Sequence, residues 1–509
     1  MPSIHIIMHA VILAAGVGSR LRPVTRRVPK PCVTTGTAPI LAHQLRAYAE
    51  AGVGTVTVVA GYRAPQVREL CKRVAAEYEA FEVGVIENSR YDATDNMYSL
   101  SLAREAVDGS EGDLLLSNGD VVFEPDVMKR LVESDAASAI ACDTGTYDAE
   151  SMKITLRGEN SIDHISKRIE RRDAYATSID CYRFSAAFAD ALFDEIDRRI
   201  DADADDGWTE AAIDSLLSDF DVRPVDVAGR RWVEVDDHDD LLLADRLFSS
   251  LSALGDRGAA FFDLDGTIYL GDGLIDGASE AVSGLRERGV EVFFLSNNSS
   301  RWKTDYAAKL ERLGIPADPE DVLLSTDGVL AYLDSVDAEG VYVLGTDAMA
   351  GAVRDHGFDI DHPSPEFVVV GFDTELTYEK TAKATLAIRD GAEFLLAHPD
   401  LVCPTPTGLV PDCGAIGALI EAATGQKPVR VFGKPSTEMV DHVLENRGLD
   451  PADVVVIGDR LETEIRMADR LGCESVCVLS GDATRAAVEE SAIRPTLVAS
   501  DVGELGGLL

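Results

Sequence analysis

Two carboxylates, Asp263 and Asp265, stand at i and i+2 in the stretch Phe261-Phe262-Asp263-Leu264-Asp265-Gly266-Thr267. The apolar run before them reads as a strand. They therefore fall at its C-terminal end, where parallel sheets place their active sites. Oxygen ligands paired in this way suit a hard cation such as Mg²⁺. The Asp-x-Asp-Gly string alone also occurs in calcium loops and plain turns. Three later pieces sharpen it: Ser296-Asn297-Asn298 after one strand, Gly433-Lys434-Pro435, and Gly458-Asp459-Arg460 after another. A second constellation opens the chain, where Leu13 to Lys30 reads LAAGVGSRLRPVTRRVPK. Gly16 and Gly18 let the backbone approach a ligand closely and offer N–H groups to phosphate. Arg20 and Lys30 put positive charge where a triphosphate would lie, and Pro23 and Pro29 stiffen the loop. The Gly-Lys-Ser/Thr ending of a P-loop is missing.

Such residues need rigid elements under them. His9 to Ala14 reads as the strand that delivers the glycine loop. Val53 to Ala60 and Asp113 to Ser117 read as further buried strands, the latter ending at Asn118-Gly119-Asp120. Helical patterns run over Ile40 to Ala51, Ala64 to Tyr78, Pro125 to Ser134 and His238 to Phe248. Leu251 to Gly258 is a short polar joint. The alternation then restarts with Ala259 to Asp263, followed by strands at Val290 to Leu295, Val454 to Gly458 and Ser475 to Leu479. Strands alternating with helices on both sides of the joint predict an α/β fold in each half. The boundaries expected are 8–250 and 259–509. The acidic run Asp201 to Asp206 reads as a solvated loop.

Composition narrows the class. The chain has 509 residues, enough for roughly two to four domains. Its 89 Asp and Glu against 47 Lys and Arg give a net charge of −42, which repels nucleic acid and anionic membranes. Hydrophobic residues at 46% and charged residues at 27% are globular values. Only 11 lysines accompany 36 arginines. Few lysines amid abundant acid suggest a cytosol at very high salt, where screening removes most of the self-repulsion. The eight cysteines show no zinc spacing and fit reduced thiols in a cytoplasm. No apolar run is long enough for a membrane span. Met1 to Ile7 lacks the features of a signal peptide, and Met8 reads as the natural start.

The full Gly-x-Gly-x-Arg-Leu-x-Pro-x-Thr-x-x-x-Pro-Lys string resembles the signature of the sugar-phosphate nucleotidyltransferases, over about residues 8–248. That resemblance implies a Rossmann-like fold whose loop, with Ala14, Gly16 and Gly18, holds a nucleoside triphosphate. Arg20 and Lys30 then neutralise its phosphates. It also implies Mg²⁺ on Asp120 and on a second carboxylate near the domain end, where Trp232-Val233-Glu234-Val235-Asp236 points to Asp236. Asp95-Asn96-Met97-Tyr98-Ser99-Leu100 is similar to an element of the phosphocholine-type cytidylyltransferases, as are Ser151 to Lys153 and His164 to Lys167. By that likeness Asn96 contacts the nucleotide, and CTP is joined to a small alcohol phosphate. Two features depart from the branch. Asp180 precedes Cys181-Tyr182-Arg183-Phe184 where Gly is common, and Thr34 to Pro39 lacks the usual lysine.

The second half, about 259–509, resembles the haloacid dehalogenase-like phosphatases, in the branch of the nitrophenylphosphatases and phosphoglycolate phosphatases. The resemblance implies a Rossmann-like core with an inserted α/β cap over about 340–425. Asp263 would be the nucleophile and Asp265 the general acid, then base. Ser296, Asn297 and Lys434 would hold the phosphoryl group. Asp263, Asp459 and the Asp265 carbonyl would hold Mg²⁺. Glu464 stands where that family's second motif-four carboxylate is usually Asp. His398-Pro399-Asp400 stands where the branch often has Asn-Pro-Asp, and His398 reads as a packing residue.

The expected partners are a nucleoside triphosphate and phosphorylated small molecules, with no nucleic acid, no membrane and at most a second copy of the chain. Several readings stay open: a fused bifunctional enzyme; one catalytic half with a regulatory binding half; a non-enzymatic sensor; and, within the first, a sugar-1-phosphate transferase using UTP or dTTP.

Overall fold

A strand covered by helices on both faces needs apolar side chains along its whole length. Met8–Ala14 meets that demand, with all seven residues buried. The computed structural model describes residues 8–108, 112–158, 160–202, 207–251, 254–405 and 408–508, and the chain divides into two units at Ser249/Ser250. Both units are α/β, as the alternation of strands and helices implies. The first seven residues lie outside the described ones, as do residues 203–206 of the acidic run; Asp201 itself closes the helix Ala186–Asp201.

In the first unit Met8–Ala14 lies between Thr55–Ala60 and Asp113–Asn118, parallel to both. Leu13 is in register with Asn118, so the glycine loop leaves the sheet beside Asn118-Gly119-Asp120. Glu82–Glu87 extends the sheet beyond Thr55–Ala60. It is an edge strand of mostly half-exposed and exposed residues, which hid it from a search for apolar runs. On the other side the antiparallel strand Ala176–Phe184 pairs with Asp113–Asn118. A short ribbon then closes the site: Trp232–Glu234 pairs antiparallel with Val121–Phe123, and the Val235 N–H donates to the Asp120 carbonyl. That ribbon is what brings Asp236 to Asp120.

In the second unit six parallel strands run in the order Val322–Leu324, Glu291–Ser296, Ala259–Asp263, Val454–Gly458, Glu474–Val478, Leu497–Ala499. Asp263, Ser296 and Gly458 are each the last residue of their strand, so three motifs meet at one edge of the sheet. The inserted layer has its own parallel sheet, Val341–Leu344, Phe367–Val370, Glu393–Leu396 and Arg430–Val431. It is wider than the expected 340–425. Its core takes Val329, Leu330 and Leu333 from the helix Ser325–Ser335, and Phe432 at the other end. Among the described residues no helix is long and apolar enough to cross a membrane, and no disulfide joins any of the eight cysteines.

Candidate active sites

In the first unit the glycine loop opens with two different glycines. Gly18 has a left-handed φ of 65°, and a Cβ there would meet the Lys30 Cβ at 2.9 Å. Gly18 therefore lets the lysine stem lie across the loop. Gly16 has open space where a Cβ would stand, which leaves its backbone accessible. Lys30 Nζ donates to Asp120 Oδ2 at 2.9 Å and to Asp236 Oδ1 at 2.9 Å. Arg20 reaches the other oxygen of Asp236 at 2.8 Å. Burial alone would lower the Lys30 ammonium, but Asp120 and Asp236 outweigh it and raise it. Burial pushes Asp236 up, and Lys30 and Arg20 bring it below the usual carboxylate range. Asp120 Oδ1 is buried without a hydrogen-bond partner.

These groups line a cavity of about 470 Å³. Its lining also includes Asn96, Asn118, Asp180, Trp208, Glu210 and Glu234. Asn118 donates to Asp180 at 2.9 Å, and the Tyr182 hydroxyl lies 3.0 Å from Asp180 and 3.2 Å from Glu210. Burial, then the charge of Glu210, holds Asp180 well above the ordinary carboxylate range, and burial raises Glu210 too. Burial together with Asp120 and Asp236 pushes Glu234 up to about 7. Asp180 occupies a left-handed φ of 53° at a register break in its strand. A glycine takes that conformation without strain, which gives the departure from the branch's glycine a physical meaning.

Ala14 differs from the expectation. Its side chain is buried in the core under the sheet, and Leu13 and Ala15 line the cavity instead. The pleat turns successive residues to opposite faces, so a motif read as a string cannot tell which alanine faces the ligand. Glu210 escaped the sequence reading altogether. It stands alone at the start of the helix Thr209–Leu216, with no motif around it. Asn96 is in place at the cavity wall, where its side-chain oxygen accepts from the Thr209 N–H at 2.8 Å.

In the second unit Lys434 again sits between carboxylates. Its Nζ contacts Asp263 Oδ1 and lies 2.6 Å from Glu464 Oε1. Burial lowers the lysine, but Asp263 and Glu464 together raise it. Burial holds Asp263 well above its ordinary range despite Lys434. Burial and Glu464 push Asp459 up to about 6. Asn297 clamps the lysine backbone from both sides: its Oδ1 accepts from the Lys434 N–H at 2.7 Å, and its Nδ2 donates to the Lys434 carbonyl at 3.1 Å. Ser296 ends its strand beside them and accepts from the Asn298 N–H. Asp265 is exposed.

Both sites fit a hard cation. The donors are all oxygen, and Asp459 Oδ1, like Asp120 Oδ1, is buried without a partner. Glycines cradle Asp459: a Cβ at Gly481 would lie 2.0 Å from its Oδ2, and one at Gly266 would lie 2.4 Å away.

A family model for haloacid dehalogenase-like hydrolases matches residues 260–359, and one described as HAD-hydrolase-like matches 431–505. A model for the MobA-like NTP transferase domain matches 10–262. An acid sugar phosphatase of Staphylococcus haemolyticus is 34% identical over 242 residues, which are 47% of this chain and 92% of that protein. The acid sugar phosphatase of Staphylococcus aureus strain USA300 is 34% identical over 248 residues, 48% of this chain and 95% of that one. Among solved structures, a 4-nitrophenylphosphatase from Thermotoga maritima is 35% identical, covering 50% of this chain and 99% of its own, at a TM-score of 0.49.

Proposed function

We propose, because the chain belongs to the haloacid dehalogenase-like hydrolases through its second half and carries a MobA-like NTP transferase domain in its first, that it joins two reactions of phosphate esters. The first unit transfers a nucleotidyl group from CTP to a small alcohol phosphate and releases pyrophosphate. The second hydrolyses a phosphomonoester through an aspartyl phosphate. One observation carries the reading. Each unit holds a buried lysine between two carboxylates, one of them at or just past the end of a parallel strand: Lys30 with Asp120 and Asp236, and Lys434 with Asp263 and Glu464. Two complete sets argue against a regulatory half or a sensor.

In the transferase, an oxygen of the acceptor phosphate attacks the α-phosphorus in line, the bond to the bridging oxygen breaks, and pyrophosphate leaves. Arg20 and Lys30 meet the charge that builds on the phosphoryl oxygens. In the phosphatase, Asp263 attacks phosphorus and the ester oxygen leaves with a proton from Asp265. Water then attacks the aspartyl phosphate, gives its proton to Asp265 and frees phosphate. Lys434, Ser296 and Asn297 hold the transferred group. Mg²⁺ would be held by Asp120 and Asp236 in one unit, and by Asp263, Asp459 and the Asp265 carbonyl in the other. It supplies fixed positive charge against phosphoryl oxygens.

The choice of CTP rests on the likeness of Asp95 to Leu100 to the cytidylyltransferase element. The decisive experiment offers the full chain, in molar KCl with Mg²⁺, all four NTPs against a panel of alcohol and sugar phosphates. Pyrophosphate and phosphate are scored separately. CTP with an alcohol phosphate is expected to give the fastest pyrophosphate release. If UTP or dTTP with a sugar 1-phosphate outcompetes every CTP pair, the cytidylyl reading is wrong. The names of the acid sugar phosphatases support a sugar phosphate as the substrate for hydrolysis.

The glycine cradle yields a separate expectation. Gly481→Ala drives a methyl group into Asp459 Oδ2 and must displace that carboxylate. The Mg²⁺ concentration giving half-maximal phosphate release should rise about tenfold or more, the usual effect of disturbing a ligand's support. Pyrophosphate release should keep its Mg²⁺ dependence. An unchanged Mg²⁺ titration for phosphate release would remove Asp459 from the metal set.

A further inference from the structure

His398 is buried at 0% exposure, and neither ring nitrogen reaches hydrogen-bond geometry with a partner. Each nitrogen nonetheless faces a carboxylate: Nδ1 lies 3.3 Å from Asp400 Oδ2, and Nε2 lies 3.6 Å from Asp412 Oδ1. A buried polar ring with no partner is costly, and here the groups placed to meet its two nitrogens are both carboxylates. The next links are short. Asp400 Oδ2 accepts from Asn297 Nδ2 at 3.0 Å, and Asn297 is the side chain that clamps Lys434 on both backbone sides. The histidine stem also packs on this joint, since a Cβ at Gly433 would meet the His398 Cβ at 2.9 Å and Asn297 Oδ1 at 2.7 Å. At the far end Asp412 is anchored, accepting from the Cys413 N–H at 2.6 Å as the cap of the helix Cys413–Thr424.

We infer that His398 is a positioning residue of the phosphatase: held by Asp412, it fixes Asp400 against the Asn297 amide and so sets where Lys434 meets the phosphoryl group. The inference rests on the phosphatase reading above. It turns a residue that reads as packing in the sequence into the link between the inserted layer and the catalytic lysine. The same three side chains place ligand atoms within 4.8 Å of one another, close enough for a metal. The carboxylates face different ring nitrogens, however, whereas a metal takes one lone pair and gathers its other ligands around that point.

The test measures kcat and KM for p-nitrophenyl phosphate on the full chain with Mg²⁺. His398→Leu, His398→Asn, Asp400→Asn and the His398→Leu/Asp400→Asn double variant are compared with wild type, with melting curves alongside. His398→Leu should lower kcat about 10- to 100-fold and leave KM within about threefold, because a misplaced lysine fails in the transition state rather than in binding. Asp400→Asn should do the same, and the double variant should be no worse than the poorer single one, since both act along one path. His398→Asn keeps an N–H toward Asp400 and should recover most of the rate. A wild-type kcat in His398→Leu would overturn the inference, as would effects that multiply in the double variant. So would one equivalent of zinc or manganese in the wild type that disappears with His398→Leu and whose return restores activity after chelation. If His398→Leu does not fold, Asp412→Asn decides: an unchanged kcat there overturns the proposal. The control is Asp263→Asn; hydrolysis that survives it sinks the phosphatase reading itself, apart from any result at His398.

Discussion

Asp263→Asn should abolish phosphate release and leave pyrophosphate release from CTP intact. Asp263 ends a strand whose five residues are all buried, so the backbone, rather than a mobile loop, fixes its carboxylate. Asparagine keeps the shape and one oxygen acceptor for Lys434, and Glu464 still neutralises that lysine from the other side. What disappears is the anionic oxygen that forms the bond to phosphorus. Loss of a covalent nucleophile costs on the order of 10⁴-fold or more in kcat. Both activities are assayed on the one variant, so folding is controlled internally by the surviving reaction. Undiminished phosphate release would show that Asp263 is not the nucleophile. Loss of both activities would mean that the two sites are coupled, which a simple fusion does not predict.

The mirror experiment is Lys30→Ala. Its ammonium lies 2.9 Å from Asp120 and 2.9 Å from Asp236, so it both neutralises the carboxylates and stands ready for the phosphates. Arg20 remains, but it reaches only Asp236. Removing one preorganised charge donor costs roughly 2–4 kcal/mol of transition-state stabilisation, or about 30- to 1000-fold in rate. The drop should appear in kcat/KM for pyrophosphate release, with hydrolysis of p-nitrophenyl phosphate unchanged. Lys30→Arg keeps the charge in a wider head group and should fall between the two. Full transfer activity in Lys30→Ala would take Lys30 out of the reaction and leave it only a structural role between Asp120 and Asp236.

Much of this was legible in the chain. The Asp263-x-Asp265 pair, the Gly16-to-Lys30 loop and the strands beneath them are short-range features, and covalent spacing along a strand end dictates them. Sequence could not say which alanine of the loop faces the ligand, because strand pleating decided that Ala15 lines the cavity and Ala14 the core. Neither could it find Glu210, whose place opposite Asp180 depends on a helix packing across the sheet. The meeting of Lys30 with Asp236, 206 residues apart, required the register that pairs Trp232–Glu234 with Val121–Phe123. The line from Asp412 through His398 to Asn297 joins the inserted layer to the core, and only their packing together could draw it. Local spacing specifies which groups are present. Which of them touch is set by long-range register and side-chain packing, for which a single sequence carries no local signal.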